Sequence, residues 1–307
     1  MITPPMFLGL IFITPPSSGA VGGRACFAGG QSNENIIDYV TVATVGNSID
    51  FGDLTVGRWK VGGVADTTRM VFGPGIRVQA GLDYITIATP GNATDFGDRT
   101  AGHGAGSSHG CAGNSTRGVF GGSVGVNIID YITIASAGDA TDFGDMTVTS
   151  GDRTAGSDTT RIVFGGGVST PGRTMDYVTT ASTGNATDFG DLISVWGKQA
   201  PGGNGNNTRI TYSGGYSNGN SNIIEYITTQ STGNAVDFGD LTVARYYNGS
   251  ASALDRGLCG CGNDGGVTNV IDYWDITSTG NATDFGDTTF SSSGHGGTSD
   301  QHGGLAA

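Results

Sequence analysis

Apolar and polar positions in this chain alternate in short runs, and glycines or small polar residues interrupt them. "TRIVFGGG" (Thr160–Gly167) is one such run, stopped by three glycines. "TMDYVTTAS" (Thr174–Ser182) is a second, and "TDFGDL" (Thr187–Leu192) opens a third. Between the last two lies "GNATD", whose Asn and Asp side chains favour a turn by bonding to nearby backbone. β-branched and aromatic residues in period-two runs read as strands. No stretch keeps the period of about 3.6 residues that a helix requires. The pattern predicts an all-β protein.

The runs recur. An Asp-Tyr or Glu-Tyr pair falls at Asp38, Asp83, Asp130, Asp176, Glu225 and Asp272. A D-F-G-D element ends at Asp53, Asp98, Asp145, Asp191, Asp240 and Asp287. An arginine opens a short apolar run at Arg24, Arg69, Arg117, Arg161, Arg209 and Arg256. Each unit has room for four short strands in about 46 residues, which is one propeller blade. Six units predict a six-bladed β-propeller over residues 18–307. A seventh blade built from both ends is the alternative. The C-terminal "GHGGTSDQHGGLAA" resembles the piece before an Arg strand, "GHGAGSSHGCAGNSTR". It is therefore expected to close the ring as the inner strand of the first blade.

The units resemble kelch repeats. That family has a strand ending in Gly-Gly, a strand carrying Tyr, and a large aromatic after a polar turn. The third unit matches with Phe120-Gly121-Gly122, Tyr131 and Phe143. The double glycine is interrupted in "FGPG" (Phe72–Gly75) and "CGCG" (Cys259–Gly262), and Phe stands where kelch units usually carry Trp. The wording "DYITIAS" (Asp130–Ser136) and "GNATDFGDL" (Gly184–Leu192) also resembles repeats in structural proteins of tailed, especially marine, bacteriophages. That resemblance implies a virion component.

Composition narrows the partners. Gly occurs 57 times, which favours turns over helices. Acidic residues outnumber basic ones 27 to 14, for a net charge of −13. Such a surface repels phosphate backbones and anionic membranes, so no nucleic-acid partner is expected. The apolar run Met6–Ile13 has no Lys or Arg before it and is far short of the roughly 20 residues needed to span a bilayer. Residues 1–17 read as an arm that packs or docks, with no signal peptide and no membrane insertion.

Each unit sets one arginine 13 to 16 residues before one acid: Arg24/Asp38, Arg69/Asp83, Arg117/Asp130, Arg161/Asp176, Arg209/Glu225 and Arg256/Asp272. A hairpin that brings the two opposite each other would make six structural ion pairs. Carboxylates such as Asp142 and Asp145 read as turn and cap residues rather than calcium ligands. Cys26, Cys111, Cys259 and Cys261 read as buried thiols. His103, His109, His295 and His302 lie in Gly-Ser-rich loops, where a metal site would require carboxylate or Cys help. No metal or other cofactor is expected.

Strand alternation puts the "GNATD" and "D-T-T-R" turns on one edge of the disc. The segments after D-F-G-D fall on the other edge and vary in length and content. They carry Trp59, His103, Trp196, Tyr246 and Tyr247, the candidate contact residues. The chain has no H-E-x-x-H or P-loop motif, and near-identical units argue against a single catalytic centre. The expected role is a non-enzymatic virion structural or appendage protein, made in the host cytoplasm. Its expected partners are other virion proteins, further copies of itself, or a host-surface glycan or protein. A carbohydrate-binding propeller and a protein-interaction scaffold are the alternatives.

Overall fold

The computed structural model describes residues 23–100, 109–168, 172–193, 202–216 and 218–305. The N-terminal arm, His103 and Trp196 lie outside the described residues. Blade one contains β1 (Arg24–Ala28), β2 (Ile36–Thr41) and β3 (Ile49–Asp53), and blade two β4 (Gly63–Ala65), β5 (Arg69–Phe72), β6 (Gly81–Thr86) and β7 (Thr94–Asp98). Blade three follows with β8 (Gly110–Gly113), β9 (Arg117–Ser123), β10 (Val126–Thr133) and β11 (Thr141–Asp145). Blade four has β12 (Thr154–Ser157), β13 (Arg161–Gly165), β14 (Thr174–Thr179) and β15 (Thr187–Asp191). Blade five has β16 (Gly202–Gly205), β17 (Arg209–Ser213), β18 (Ile223–Thr228) and β19 (Val236–Asp240). Blade six has β20 (Gly249–Ala253), β21 (Arg256–Asn263), β22 (Val267–Asp275) and β23 (Thr283–Ser292). The last strand, β24 (Gly296–Ser299), pairs antiparallel with β1 and completes blade one. Six four-stranded antiparallel sheets result, and the fold is a six-bladed all-β propeller.

Each blade is inner strand, two middle strands and outer strand, and the short inner strands surround the axis. They are Gly-rich because neighbouring blades crowd there: a Cβ on Gly110 would meet the Phe164 ring of the next blade at 2.6 Å. The apolar cores lie between blades. One contains Val64, Val71, Leu82 and Phe96 of blade two with Phe120, Ile132 and Ile134 of blade three. In every blade the third and fourth strands carry a register shift at the D-F-G-D phenylalanine. Such a bulge sharpens the local twist. It seats that Phe edge-on against the blade's Tyr, with centroids 5.8 Å apart for Tyr39–Phe51 and 6.0 Å for Tyr177–Phe189.

The repeated wording joins one blade to the next. Asn185 Oδ1, in the "GNATD" turn of blade four, accepts the backbone N–H of Asp145 in blade three at 3.1 Å. The same bond recurs at every joint, including Asn47 to Asp287 where the ring closes, with Asp139 in place of Asn at one joint. The glycine of D-F-G-D lies against the glycine of the neighbouring turn. A Cβ on Gly97 (φ +140°) would sit 2.5 Å from the Gly138 carbonyl, so only glycine fits.

Candidate functional site

The six arginines that open the second strands do not pair with the acids of their own blades. Hairpin register explains this. Asp38 lies opposite Phe27, and Arg24 lies opposite Thr41, three positions away. Three positions are about 10 Å along a strand and put the two side chains on opposite sheet faces. The same register holds for Asp83 opposite Phe72, Asp130 opposite Phe120, Asp176 opposite Phe164, Glu225 opposite Tyr212 and Asp272 opposite Cys259. Each of the six arginines instead lies over its own blade's Tyr ring, 4.2 to 4.8 Å from the centroid. Each also donates to a carbonyl of the next blade: Arg24 to Ile87, Arg69 to Ala135, Arg117 to Thr180, Arg161 to Thr229, Arg209 to Thr277 and Arg256 to Val42.

The acids hold the incoming linker. Asp83, Asp130, Asp176 and Asp272 pair with Arg58, Arg99, Arg153 and Arg245. All four arginines come from the linker that arrives from the preceding blade. The contacts are Arg58–Asp83 at 2.6 Å, Arg99 Nε–Asp130 at 2.8 Å, Arg153–Asp176 at 2.8 Å and Arg245–Asp272 at 2.7 Å. The guanidinium groups also donate to middle-strand carbonyls, such as those of Phe120 and Cys259. These pairs are buried. Burial pulls Arg99 and Arg153 below the ordinary guanidinium range, and the carboxylates oppose it. An arginine stays charged regardless.

The residue two places past D-F-G-D completes the seat. Thr55, Thr100, Thr147, Thr242 and Thr289 each donate their hydroxyl to the acid of the next blade: Asp83, Asp130, Asp176, Asp272 and Asp38. At the corresponding joint of blade five the threonine is Ile193, which offers only its backbone N–H, and the acid is the longer Glu225. Asp38 is seated by Thr289 and Ser48 and has no arginine partner among the described residues. Sequence reading missed the four true partners because Arg58 and Arg245 lie five residues past D-F-G-D, Arg99 one and Arg153 eight. The repeat alignment scatters them. The usable signal was composition: these linkers each hold an arginine in a chain with only 14 basic residues.

Above these pairs the linkers reach the axis. Lys60, Asp152 and Tyr247 each stand seven residues past D-F-G-D, and each has a left-handed backbone, φ 62°, 54° and 53°. Gly294 occupies the same place with φ 72°. Three alternate linkers therefore meet: Lys60 Nζ lies 2.9 Å from Asp152 Oδ1 and 2.9 Å from Tyr247 Oη, which donates to Asp152 Oδ2 at 2.9 Å. Burial and Asp152 push the Tyr247 hydroxyl well above its ordinary value, so it remains a donor. Trp59 packs edge-on against Tyr247, Tyr246 tilts on Tyr247, and Tyr216 tilts on Tyr246, with centroids 5.7, 4.7 and 5.2 Å apart. Of the candidate contact residues described, Trp59, Tyr246 and Tyr247 thus form one continuous aromatic ladder.

Beneath the cluster lies an axial cavity of about 60 Å³, lined in part by His109, Asn248 and His295. At the far end the C-terminal 3-10 turn, Gly303–Leu305, packs against β12 and β16, and His302 Nε2 bonds to the Ala65 carbonyl at 2.9 Å. A larger apolar groove of about 380 Å³ lies on the opposite edge between blades six and one, beside exposed Leu254. None of the described residues lining it has a buried polar atom without a partner, whereas the axial cavity has several. Among the described residues no group of three or more His, Cys, Asp or Glu side chains is placed to hold a metal ion. Cys26, Cys259 and Cys261 are buried free thiols and Cys111 is half-buried. Burial raises all four above the ordinary thiol range, which disfavours nucleophilic thiolates. No protein-family model matches this chain, and no curated protein matches it.

Proposed function

We propose that this propeller is a non-enzymatic binding scaffold that serves as a structural or appendage protein of a phage particle. Its linker face makes the contact with a host surface or a neighbouring subunit. One observation carries the reading: the repeated residues are consumed in blade-to-blade contacts, while the linkers break the six-fold pattern and put Trp59, Tyr246 and Tyr247 on one face. Aromatic residues on loops held by a rigid frame are common contact anchors. The kelch-like strand ending and the phage-like wording of the repeat support the same class. The net charge of −13 argues against nucleic acid as the target.

Mass spectrometry of purified particles tests the class. Recovery of this chain in stoichiometric amounts, together with blocked adsorption by added recombinant protein, is the expected result. Its absence from particles, or measured hydrolysis or oxidation by the purified chain, overturns the reading.

A further inference from the structure

The axis of the linker face gathers buried polar atoms that the chain does not satisfy. His295 is 4% exposed, and neither ring nitrogen has a hydrogen-bond partner. Asn248 donates its amide to the Ser213 carbonyl at 3.2 Å, which leaves its buried Oδ1 without a donor. Trp59 Nε1 is buried without an acceptor and abuts Gly294, the residue before His295. Buried polar groups are almost always paired, so several orphans around one cavity point to something that binds there. Asn248, Gly294 and His295 line the cavity beside Lys60 and Tyr247.

The orphan set has a definite chemistry. In the cavity lining, Arg153 Nε offers a donor and Asn248 Oδ1 an acceptor. Burial holds the His295 imidazole far below its ordinary range, at about 3, so it is neutral and offers one donor and one acceptor. Lys60 and Arg153, the cations lining the cavity, are already held by Asp152 and Asp176. The complementary ligand is uncharged and gives and accepts hydrogen bonds from adjacent atoms, as neighbouring hydroxyls do. Next to the cavity the aromatic ladder runs from Trp59 to the exposed Tyr216. Such rings suit the apolar face of a pyranose.

We propose that the linker face binds a neutral saccharide. A hydroxyl-bearing edge of the sugar enters the axial cavity against His295 and Asn248, and the rest of the glycan lies over Tyr246 and Tyr216. The cavity admits the edge of a sugar, not a whole ring. Sialylated or sulfated glycans are disfavoured by the net charge of −13. The inference rests on the linker face being the contact face; it does not depend on the chain being a particle component.

The test is a glycan array probed with the full chain and carrying neutral, sialylated and sulfated glycans. Titration with the methyl glycosides of glucose, galactose and mannose follows, read by NMR on the His295 ring resonances. Retention of neutral glycans, a shift of those resonances, and at least about tenfold weaker binding in both His295→Leu and Tyr246→Ala are expected. Melting curves establish that the variants fold, and the wild-type His295 shift stands if either does not. Absence of neutral-glycan binding, preference for anionic glycans, or binding insensitive to both variants overturns the proposal. Unmoved His295 resonances at saturation mean that the cavity holds only water, and overturn it too. Sugar binding by a chain that is missing from particles sinks the phage reading alone.

Discussion

The two faces of the disc are built from the same six repeats and do opposite things. On the turn face every joint has the same parts: an Asn or Asp capping the neighbouring strand, a glycine against a glycine, and an arginine laid over a tyrosine and into the next blade. On the linker face the shared requirement is only that each acid be seated. Linkers of different length and order meet it with arginine or threonine, and at Asp38 the turn residue Ser48 adds a hydroxyl. The repeated residues of the turn face are engaged in closing the ring, and what they leave over is the apolar groove beside Leu254. A face whose requirement is met in several ways is free to carry Trp59, Tyr246, Tyr247 and the orphaned His295.

The largest effect is expected at the buried acids. Asp176→Ala leaves Arg153 buried and unpaired and should cost about 3–5 kcal/mol in chemical denaturation. Asp38→Ala, which strands only hydroxyl and backbone donors, should cost about 1–3 kcal/mol. Equal losses would mean that the guanidinium pairs add nothing to the linker face.

The turn face is next. Gly97→Ala drives a Cβ into the Gly138 carbonyl and should cost about 2–3 kcal/mol, a greater loss than Gly138→Ala, which meets no atom within 4 Å. Equal melting temperatures for the two variants would show that the joint yields and that the close approach is incidental.

A pH series sharpens the contrast from the other side. His295 has a folded pKa lowered from 6.5 to about 3 by burial. Below pH 6.5 the unfolded chain takes up a proton that the folded one refuses, so stability falls with acid by at most about 1.4 kcal/mol per pH unit until the folded pKa is reached. Denaturation at pH 7 and pH 5 should show His295→Leu losing less stability than the parent over that window. An identical pH response in the two proteins would place His295 in water. The smallest effect belongs to a single turn cap: Asn185→Ala removes one acceptor from Asp145 N–H and should cost no more than about 1 kcal/mol, read as a small drop in melting temperature.

Much of this could be read from the residues. Period-two runs, their spacing and the six copies specify strands, blades and blade number, because a unit that cannot bury its own apolar face must stack on a copy of itself. The Tyr and Phe of each unit, the turn asparagines and the D-F-G-D glycines were visible as repeated positions. Their partners lie in the neighbouring blade and were not. The aromatic residues of the linkers were legible as exceptions to the repeat. The convergence of Trp59, Lys60, Asp152 and Tyr247 was not, since they come from three linkers separated by about 90 residues each.

The sequence by itself therefore determined an all-β ring of six equivalent sheets, because alternation and period are local properties of the chain. Only the tertiary structure decided which arginine neutralises which acid. Strand register placed Arg24 and its equivalents three positions from the acids, on the other sheet face, and the preceding linker delivered a different guanidinium to Asp83, Asp130, Asp176 and Asp272. A charge pair depends on distances in space, and in a propeller the nearest neighbour in space is the adjacent blade.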